Sequence, residues 1–245
     1  SSIVRVAAPR EVAAMKIAGL QKASLIDYPD MISGSVFLAG CNLNCLYCYN
    51  RWMIRESRVK EAMSVEELMS WLKSRVGLLD AICISGGEPT IHSRLADLLK
   101  PIKAMGYLIK IDTNGTNPER LAYLLDQALV DYVALDIKAP FDRRYHAVAG
   151  CTVDLVAIRQ CLGLIRARAP AYEVRTTVGP QLDEQDLRDI ARDVKETDAW
   201  FLQLFLRKRY VHKSVAKAPA LDERALHSIA EELRAIVPLV KVRGE

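Results

Sequence analysis

Three cysteines fall close together in the stretch AGCNLNCLYCYN: Cys41, Cys45 and Cys48, spaced C-x3-C-x2-C. Thiolates so placed are soft metal ligands. A structural zinc site closes with four protein ligands, and His92, His146 or His212 could supply a distant fourth. Three cysteines without a fourth also fit a [4Fe–4S] cluster that leaves one iron open, although most clusters take four. An open iron can bind a small molecule and pass it an electron. The spacing alone does not separate zinc from iron–sulfur. Three unrelated core thiols is the weakest reading, because Asn42, Asn44 and Tyr47 between them have loop character.

Other residues with chemical potential recur at the ends of apolar stretches. Gly86-Gly87-Glu88 follows AICIS, Asp112-Thr113-Asn114 follows YLIKI, Asp136 and Lys138 end YVALDIK, and Arg175 lies in YEVRTTV. These stretches read as strands, together with SGSVFLAG before the cysteines and AWFLQLFL near the C-terminus. Helical patterns alternate with them. SVEELMSWLKSRV opens on Ser64 with Glu67 three residues on, a capping box, and presents Val65, Leu68, Met69, Leu72 and Val76 on one face. SRLADLLKPIKAM is a helix kinked or restarted at Pro101. Asn117-Pro118 predicts a capped helix start that buries Leu121, Leu124, Leu125 and Ala128. VDLVAIRQCLGLIRARA is the fourth helix. Asp183 caps the fifth, which carries Leu187, Ile190, Ala191 and Val194, and ERALHSIAEELRAIV is the sixth.

Six strands alternating with six helices predict an α/β fold with a parallel sheet, either a partial (β/α)6 TIM-like barrel or a doubly wound sheet. In both, chemistry gathers at the strand C-termini, which is where the polar residues fall. The length of 245 residues suits one domain over 1–245, with 1–14 as an extension that includes Ser1-Ser2. There is no repeat or linker. The net charge of +4 is too mild to argue for nucleic acid. No stretch approaches the length of a membrane span, and the N-terminus, broken by Arg5, Pro9, Arg10 and Glu11, lacks a signal-peptide core. The expectation is a cytoplasmic protein with reduced cysteines.

The C-x3-C-x2-C loop after the first barrel strand, with Tyr47 before the last cysteine and G-G-E after the next strand, resembles the radical S-adenosylmethionine enzymes. KIAGLQKASLIDYPDMISGSVFLAGCNLNCLYCYN, GLLDAICISGGEPT, IKIDTNGTNPERL, LVDYVALDIKAP and EVRTTVGP are together similar to the glycyl-radical-enzyme activases, in particular the anaerobic ribonucleoside-triphosphate reductase branch. The likeness runs from about Lys16 to the C-terminal VKVRG.

The resemblance implies that Cys41, Cys45 and Cys48 ligate three irons, and that the amino and carboxylate groups of S-adenosylmethionine chelate the fourth. One electron then cleaves the sulfonium bond to a 5′-deoxyadenosyl radical, which takes hydrogen from a glycine of a partner. That partner is a glycyl radical enzyme, an anaerobic ribonucleotide reductase by closest likeness, and a reduced flavodoxin or ferredoxin supplies the electron. Gly86, Gly87 and Glu88 bind the methionyl amino group, and Tyr47 contacts the adenine side. Asp112, Thr113, Asn114, Asp136 and Lys138 are cofactor-side residues. In activases of the pyruvate formate-lyase type, the residues matching Asp112, Thr113 and Asp136 build a monovalent cation site. Lys138 faces the cofactor or pairs with Asp136; Arg175 is a lumen ion-pair residue or part of the glycine-peptide site.

Tyr49 departs from the activase pattern, which has His after the last cluster cysteine. LQLFLRKRYVHKS departs too, so no adenine or ribose contacts are assigned there. Cys83 reads as a core thiol, and Cys151 and Cys161 as core thiols or a second metal centre. The run Arg207 to Tyr210 reads as a solvated face or a contact for an acidic partner or nucleic acid. Two alternatives stand beside the activase: a radical S-adenosylmethionine enzyme acting on a small molecule, nucleobase or peptide, and a zinc-binding interaction module.

Overall fold

All six expected strands form, and they pair in chain order. In the computed structural model, which describes residues 15–60, 62–207 and 211–244, they are β2 (Ser33–Leu38), β3 (Ala81–Gly86), β4 (Leu108–Thr113), β5 (Tyr132–Asp136), β6 (Tyr172–Val178) and β7 (Trp200–Leu204). Each neighbouring pair is parallel. Two strands were not expected. β1 (Ile17–Ser24) pairs antiparallel with β2, and β8 (Val240–Arg243) pairs parallel with β7. β1 and β8 form the two edges of one eight-stranded sheet. The result is an open, partial TIM-like barrel. The expected extension 1–14 and residues 208–210 of the basic run lie outside the described residues.

The helices lie on the outer face as α1 (Val65–Lys73), α2 (Leu95–Ala104), α3 (Pro118–Asp126), α4 (Arg143–Ala149), α5 (Leu155–Arg168), α6 (Glu184–Asp193), α7 (Lys213–Ala216) and α8 (Glu223–Leu233). Their starts follow side-chain chemistry. Ser64 and Glu67 close the expected capping box on α1, and Asp183 with Asp186 closes another on α6. Asp154 accepts hydrogen bonds from the first turn of α5.

Three details depart from the sequence reading. Asn117 does not cap α3; its side-chain amide instead donates to Thr90 Oγ1 at 3.1 Å. Val76 and Ala128 are exposed because α1 and α3 end before them. Ala128 takes a positive φ of 50°, and the neighbouring Leu129 is buried in its place. Pro101 does not restart α2 as a separate element; the helix runs through it.

The two faces of the sheet differ sharply. Ile109, Ile111, Val133, Leu135, Ile137 and Val174 face the helices and are fully buried. The alternate residues Lys110, Asp112, Asp136, Glu173 and Arg175 meet one another on the concave side, as the period of two requires. The barrel interior is therefore an ion-pair network rather than an apolar core. The segment after β1 reaches its N-terminal end. There Lys110 Nζ donates to Asp27 O at 2.5 Å, Ser35 Oγ donates to Asp27 Oδ2 at 2.6 Å, and the Tyr28 ring packs on Tyr132 at 5.5 Å.

Candidate functional site

The cysteine loop leaves β2 at the C-terminal end of the barrel and is pinned on both sides. On the β1 side Gly40 N donates to Met53 O at 2.8 Å and Cys41 N to Ile54 O at 3.0 Å, which docks the short turns Arg51–Met53 and Glu56–Arg58 against it. On the other side Asn44 N donates to Ala149 O at 2.9 Å at the end of α4. Arg51 Nη1 donates to Cys45 O at 2.7 Å and to Asn44 O at 3.1 Å. His212, which starts α7, donates its N–H to Leu46 O at 3.0 Å, so the chain after β7 also reaches the loop.

The G-G-E turn meets the loop backbone to backbone. Gly87 N donates to Leu38 O at 2.9 Å and Glu88 N to Gly40 O at 2.8 Å, carrying the β2–β3 pairing right up to Cys41. A Cβ on Gly87 would stand 1.8 Å from Gly40 O, and Gly86 takes a φ of 117°. Both glycines are thus required by the protein's own packing.

The carboxylate of Glu88 is wholly buried and accepts four hydrogen bonds. Oε1 takes Thr90 N at 3.0 Å, Thr90 Oγ1 at 2.6 Å and Thr113 Oγ1 at 2.7 Å, and Oε2 takes Asn114 N at 2.6 Å. Burial pushes its carboxyl up more than these donors pull it down. Asn114 in turn donates from Nδ2 to Asn42 Oδ1 at 2.9 Å, and Asn42 Nδ2 donates to Thr116 Oγ1 at 2.7 Å. Glu88, Thr113 and Asn114 therefore bind the loop after β4 to the loop after β3 and to the cysteine loop.

Asp112 and Asp136 share one guanidinium. Arg175 Nε donates to Asp136 Oδ1 at 2.9 Å, and its Nη1 lies 3.3 Å from Asp112 Oδ1. Arg175 thus forms ion pairs with both aspartates in the barrel interior. The same arrangement occupies the residues expected around a cation. Arg175 provides the positive charge between the two aspartates, and Thr113 gives its hydroxyl to Glu88. Burial pushes the Asp112 carboxyl up, but Arg175, Lys110 and a hydrogen bond from Ser85 outweigh it and hold it below the usual range. Lys138 Nζ sits 3.7 Å from Asp136 Oδ2 and 5.9 Å from the centre of the Tyr47 ring. Tyr47 itself is buried against Gly179.

Sequence reading missed the deepest part of this network. Glu173 is fully buried and meets Arg243 through both oxygens at 3.1 and 2.9 Å, Lys110 at 3.5 Å and the Tyr132 hydroxyl at 3.2 Å. Its alternation with Arg175 in YEVRTTV was the available signal. Burial raises the Glu173 carboxyl, but Arg243, Lys110 and Arg175 together lower it overall. A lowered carboxyl contributes stability that is present above the unfolded pKa, about 4.3, and lost as pH falls through the folded value. Glu173→Gln is therefore expected to lose about 3 kcal/mol at pH 7, because three cations lose their buried partner. Its stability should also change less with pH below about 4. Urea titrations of parent and variant across that range check this, and parallel acid slopes would refute it.

The donor set can be tested against a metal group. All six cysteines are free thiols. Burial is the main influence on the three loop thiols and pushes all of them up, Cys41 to about 12, so a bound cationic centre must displace their protons. Among the described residues no three His, Cys, Asp or Glu side chains converge on a single-ion site. The histidines offered as a fourth zinc ligand are engaged elsewhere. His92 Nε2 lies 3.0 Å from Ala39 O, His146 Nδ1 accepts from Val153 N, and His212 Nδ1 accepts from Ser214 N. Among the described residues no zinc ligand set is assembled. A [4Fe–4S] cluster asks something different of the three cysteines, because each would ligate a different iron of one group. Cys83 is buried beside Tyr28 and Ala81, Cys161 is buried within α5, and the Cys151 thiol lies against Asn42 O at 3.8 Å.

The chain is 35% identical over 233 residues to a protein of Methanocaldococcus jannaschii provisionally named a glycyl-radical enzyme activating enzyme, covering 93% of this chain and 95% of that one. It is 26% identical over 166 residues to a Pyrococcus abyssi protein provisionally named a GTP 3′,8-cyclase, covering 67% of this chain and 52% of that one. Among solved structures, Streptococcus suis SuiB bound to S-adenosylmethionine superposes with a TM-score of 0.64 at 14% identity, covering 84% of this chain and 48% of that one. The family model of the Radical SAM superfamily matches residues 35–194, from within β2 to just past α6, and this chain belongs to that superfamily.

Proposed function

We propose that this enzyme installs a glycyl radical on a partner protein, and that the partner is an anaerobic ribonucleoside-triphosphate reductase. The observation that carries the reading is the match to the Methanocaldococcus jannaschii protein along nearly the whole of both chains. Cys41, Cys45 and Cys48 would hold a [4Fe–4S] cluster, and S-adenosylmethionine would bind beside it. When bound, these groups supply one-electron cleavage of a sulfonium bond and a radical able to remove hydrogen from carbon.

The chain's own residues then have distinct tasks. Gly86 and Gly87 bring the turn after β3 against the base of the cysteine loop, where their backbone can approach the methionyl group. Glu88, Thr113 and Asn114 fix the loops that line the cofactor. Tyr47 and Lys138 present a ring and a positive charge beside Cys48. Asp112, Asp136 and Arg175 form the floor of the mouth, a charged surface with its own counterions, which suits an inserted peptide loop. On the other side of the cysteine loop, Asn44, Arg51, Ile54, Arg55 and Arg58 line a cavity of about 180 Å³. Its guanidinium groups suit an acidic electron donor such as reduced flavodoxin or ferredoxin.

Anaerobic protein carrying its cluster, mixed with S-adenosylmethionine, dithionite and a co-encoded glycyl radical enzyme, should give a glycyl doublet by electron paramagnetic resonance. Reduced flavodoxin in place of dithionite should give a yield that falls with salt. Cleavage of S-adenosylmethionine without a doublet on any such partner would remove the activase reading. It would leave the second one, an enzyme modifying a small molecule, nucleobase or peptide, which the partial match to the Pyrococcus abyssi protein favours.

A further inference from the structure

The end of the barrel opposite the cysteine loop carries an apolar surface. Nine large apolar side chains are exposed among the described residues, and five of them are Leu25, Ile26, Ile32, Val76 and Leu78. Backbone contacts place these five side by side. Ser24 at the end of β1 pairs with Ser33 at the start of β2, so Leu25 and Ile32 flank one bridge. Asp80 N and Ala81 N both donate to Ile32 O, at 2.8 and 3.3 Å, which sets Ile32 beside the turn that holds Val76 and Leu78. Leu25 is 75% exposed, Ile26 70% and Leu78 62%. Single apolar residues on a surface are ordinary, but a contiguous group this exposed reaches the few hundred Å² that marks an interaction surface.

The charges around it are ordered. Tyr28 and Met31 pack together beneath the barrel with Ala81 and Cys83, and the Asp27 carbonyl accepts from Lys110. Asp30, exposed between Tyr28 and Met31, therefore borders the apolar surface on its lumen side. Lys73 and Arg75, at the end of α1 and in the turn after it, border it on the helix side. Among the described residues none of Asp30, Lys73 and Arg75 takes part in an ion pair. A surface with an anionic border on one side and a cationic border on the other complements itself under a two-fold rotation. An anionic lipid surface suits it less, because Asp30 and the exposed Asp80 would meet headgroups of their own sign.

We propose that a second copy of this chain binds here, back to back, in an isologous dimer. Asp30 of each copy then meets Lys73 and Arg75 of the other across the joined apolar surfaces. The six residues of β2 hold this surface on the order of 20 Å from the cysteine loop. Both mouths therefore stay open and face away from each other, and one dimer presents two independent sites. The inference uses no cofactor chemistry, so its failure leaves the activase reading standing, and the reverse holds too.

The test is sedimentation equilibrium of the full chain, purified anaerobically, over about 1–100 μM, the span in which an interface of modest size dissociates. The parent should pass from monomer to dimer mass across that range. Ile26→Glu and Leu78→Glu should each raise the dissociation constant at least about tenfold with an unchanged melting temperature, since both side chains are mostly exposed. Should either variant fold poorly, Ile26→Ser makes the same test. Asp30→Lys alone and Arg75→Asp alone each set like charges across the two-fold and should weaken the dimer. Mixed together, the two variants restore opposite charges at both contacts and should recover the dimer mass. A parent that stays monomeric throughout overturns the proposal, as does a dimer indifferent to Ile26→Glu and Leu78→Glu. Charge variants that fail to recover on mixing also overturn it. So does a parent that sediments with phosphatidylglycerol vesicles while Ile26→Glu does not, which would make this a lipid-binding surface.

Discussion

Cys45→Ala is expected to abolish both the iron–sulfur chromophore and cleavage of S-adenosylmethionine while the chain stays folded. Three thiols are the whole protein donor set at the loop, and two cannot hold a cluster that already lacks a fourth cysteine. On sequence alone the thiol reads as a loop group outside the core. The structure corrects that, because Cys45 is buried within the main apolar cluster while Cys41 and Cys48 sit at its margin. The substitution should therefore cost about 1 kcal/mol of stability. Cys83→Ala supplies the matched control. It removes an equally buried thiol from the small cluster around Tyr28 and Ala81, far from the loop, and should cost a similar amount with cleavage retained. Iron and sulfide content, melting temperature and 5′-deoxyadenosine yield under dithionite separate the two. Parent-like cleavage by Cys45→Ala would end the cluster assignment.

The parts of this molecule that could be read from sequence are those where one residue type does one job locally. Ser64 with Glu67, and Asp183 ahead of α6, announce helix starts because a side-chain oxygen satisfies free backbone N–H groups. The six central strands are visible because their helix-facing residues are apolar and punctuated by glycine or proline. β1 was hidden for a physical reason. It is an edge strand with irregular pairing at Ile17/Gly19 and Gln21/Ser24, so its alternation is broken and its residues are half exposed. β8 is only four residues long. Asn117 misleads because Thr90 competes for its side chain, a contact across 27 positions of sequence.

The site divides along the same line. The cysteine spacing is local and legible. The roles of Glu88 and Arg175 are not, because each is decided by partners on other strands. A glutamate after two glycines looks poised for a ligand, yet its four donors come from Thr90, Thr113 and Asn114. Lys110 and Glu173 were readable in principle, since charged residues alternate with apolar ones in YLIKID and YEVRT. In a parallel sheet covered by helices both faces are expected to be apolar. The polar concave face breaks that expectation because an open barrel leaves its interior to be filled by paired charges.

That division predicts the second large effect, at Gly87. A parallel pair of strands normally parts at its C-terminal end, but here β2 and β3 stay bonded through Gly87 N to Leu38 O and Glu88 N to Gly40 O. The cysteine loop starts at the next residue. Gly87→Ala places a methyl group 1.8 Å from Gly40 O and 3.2 Å from Cys41 Cβ. The obstructing atom is backbone, so no rotamer change relieves it. The two loops must separate, and Glu88 then leaves its donors and the cysteine loop its register. The expected cost is on the order of 4 kcal/mol, at the upper end for a point substitution, together with loss of cluster binding. Gly77→Ala isolates the part due to steric contact. Gly77 also has a positive φ, 78°, but nothing lies within 4 Å of its Cβ position, so that change should cost about 1–2 kcal/mol from backbone strain alone and keep the cluster. Denaturant unfolding with iron content measures both variants. If Gly87→Ala bound iron like the parent at a cost no greater than Gly77→Ala, the backbone contact would not be what positions the cysteine loop.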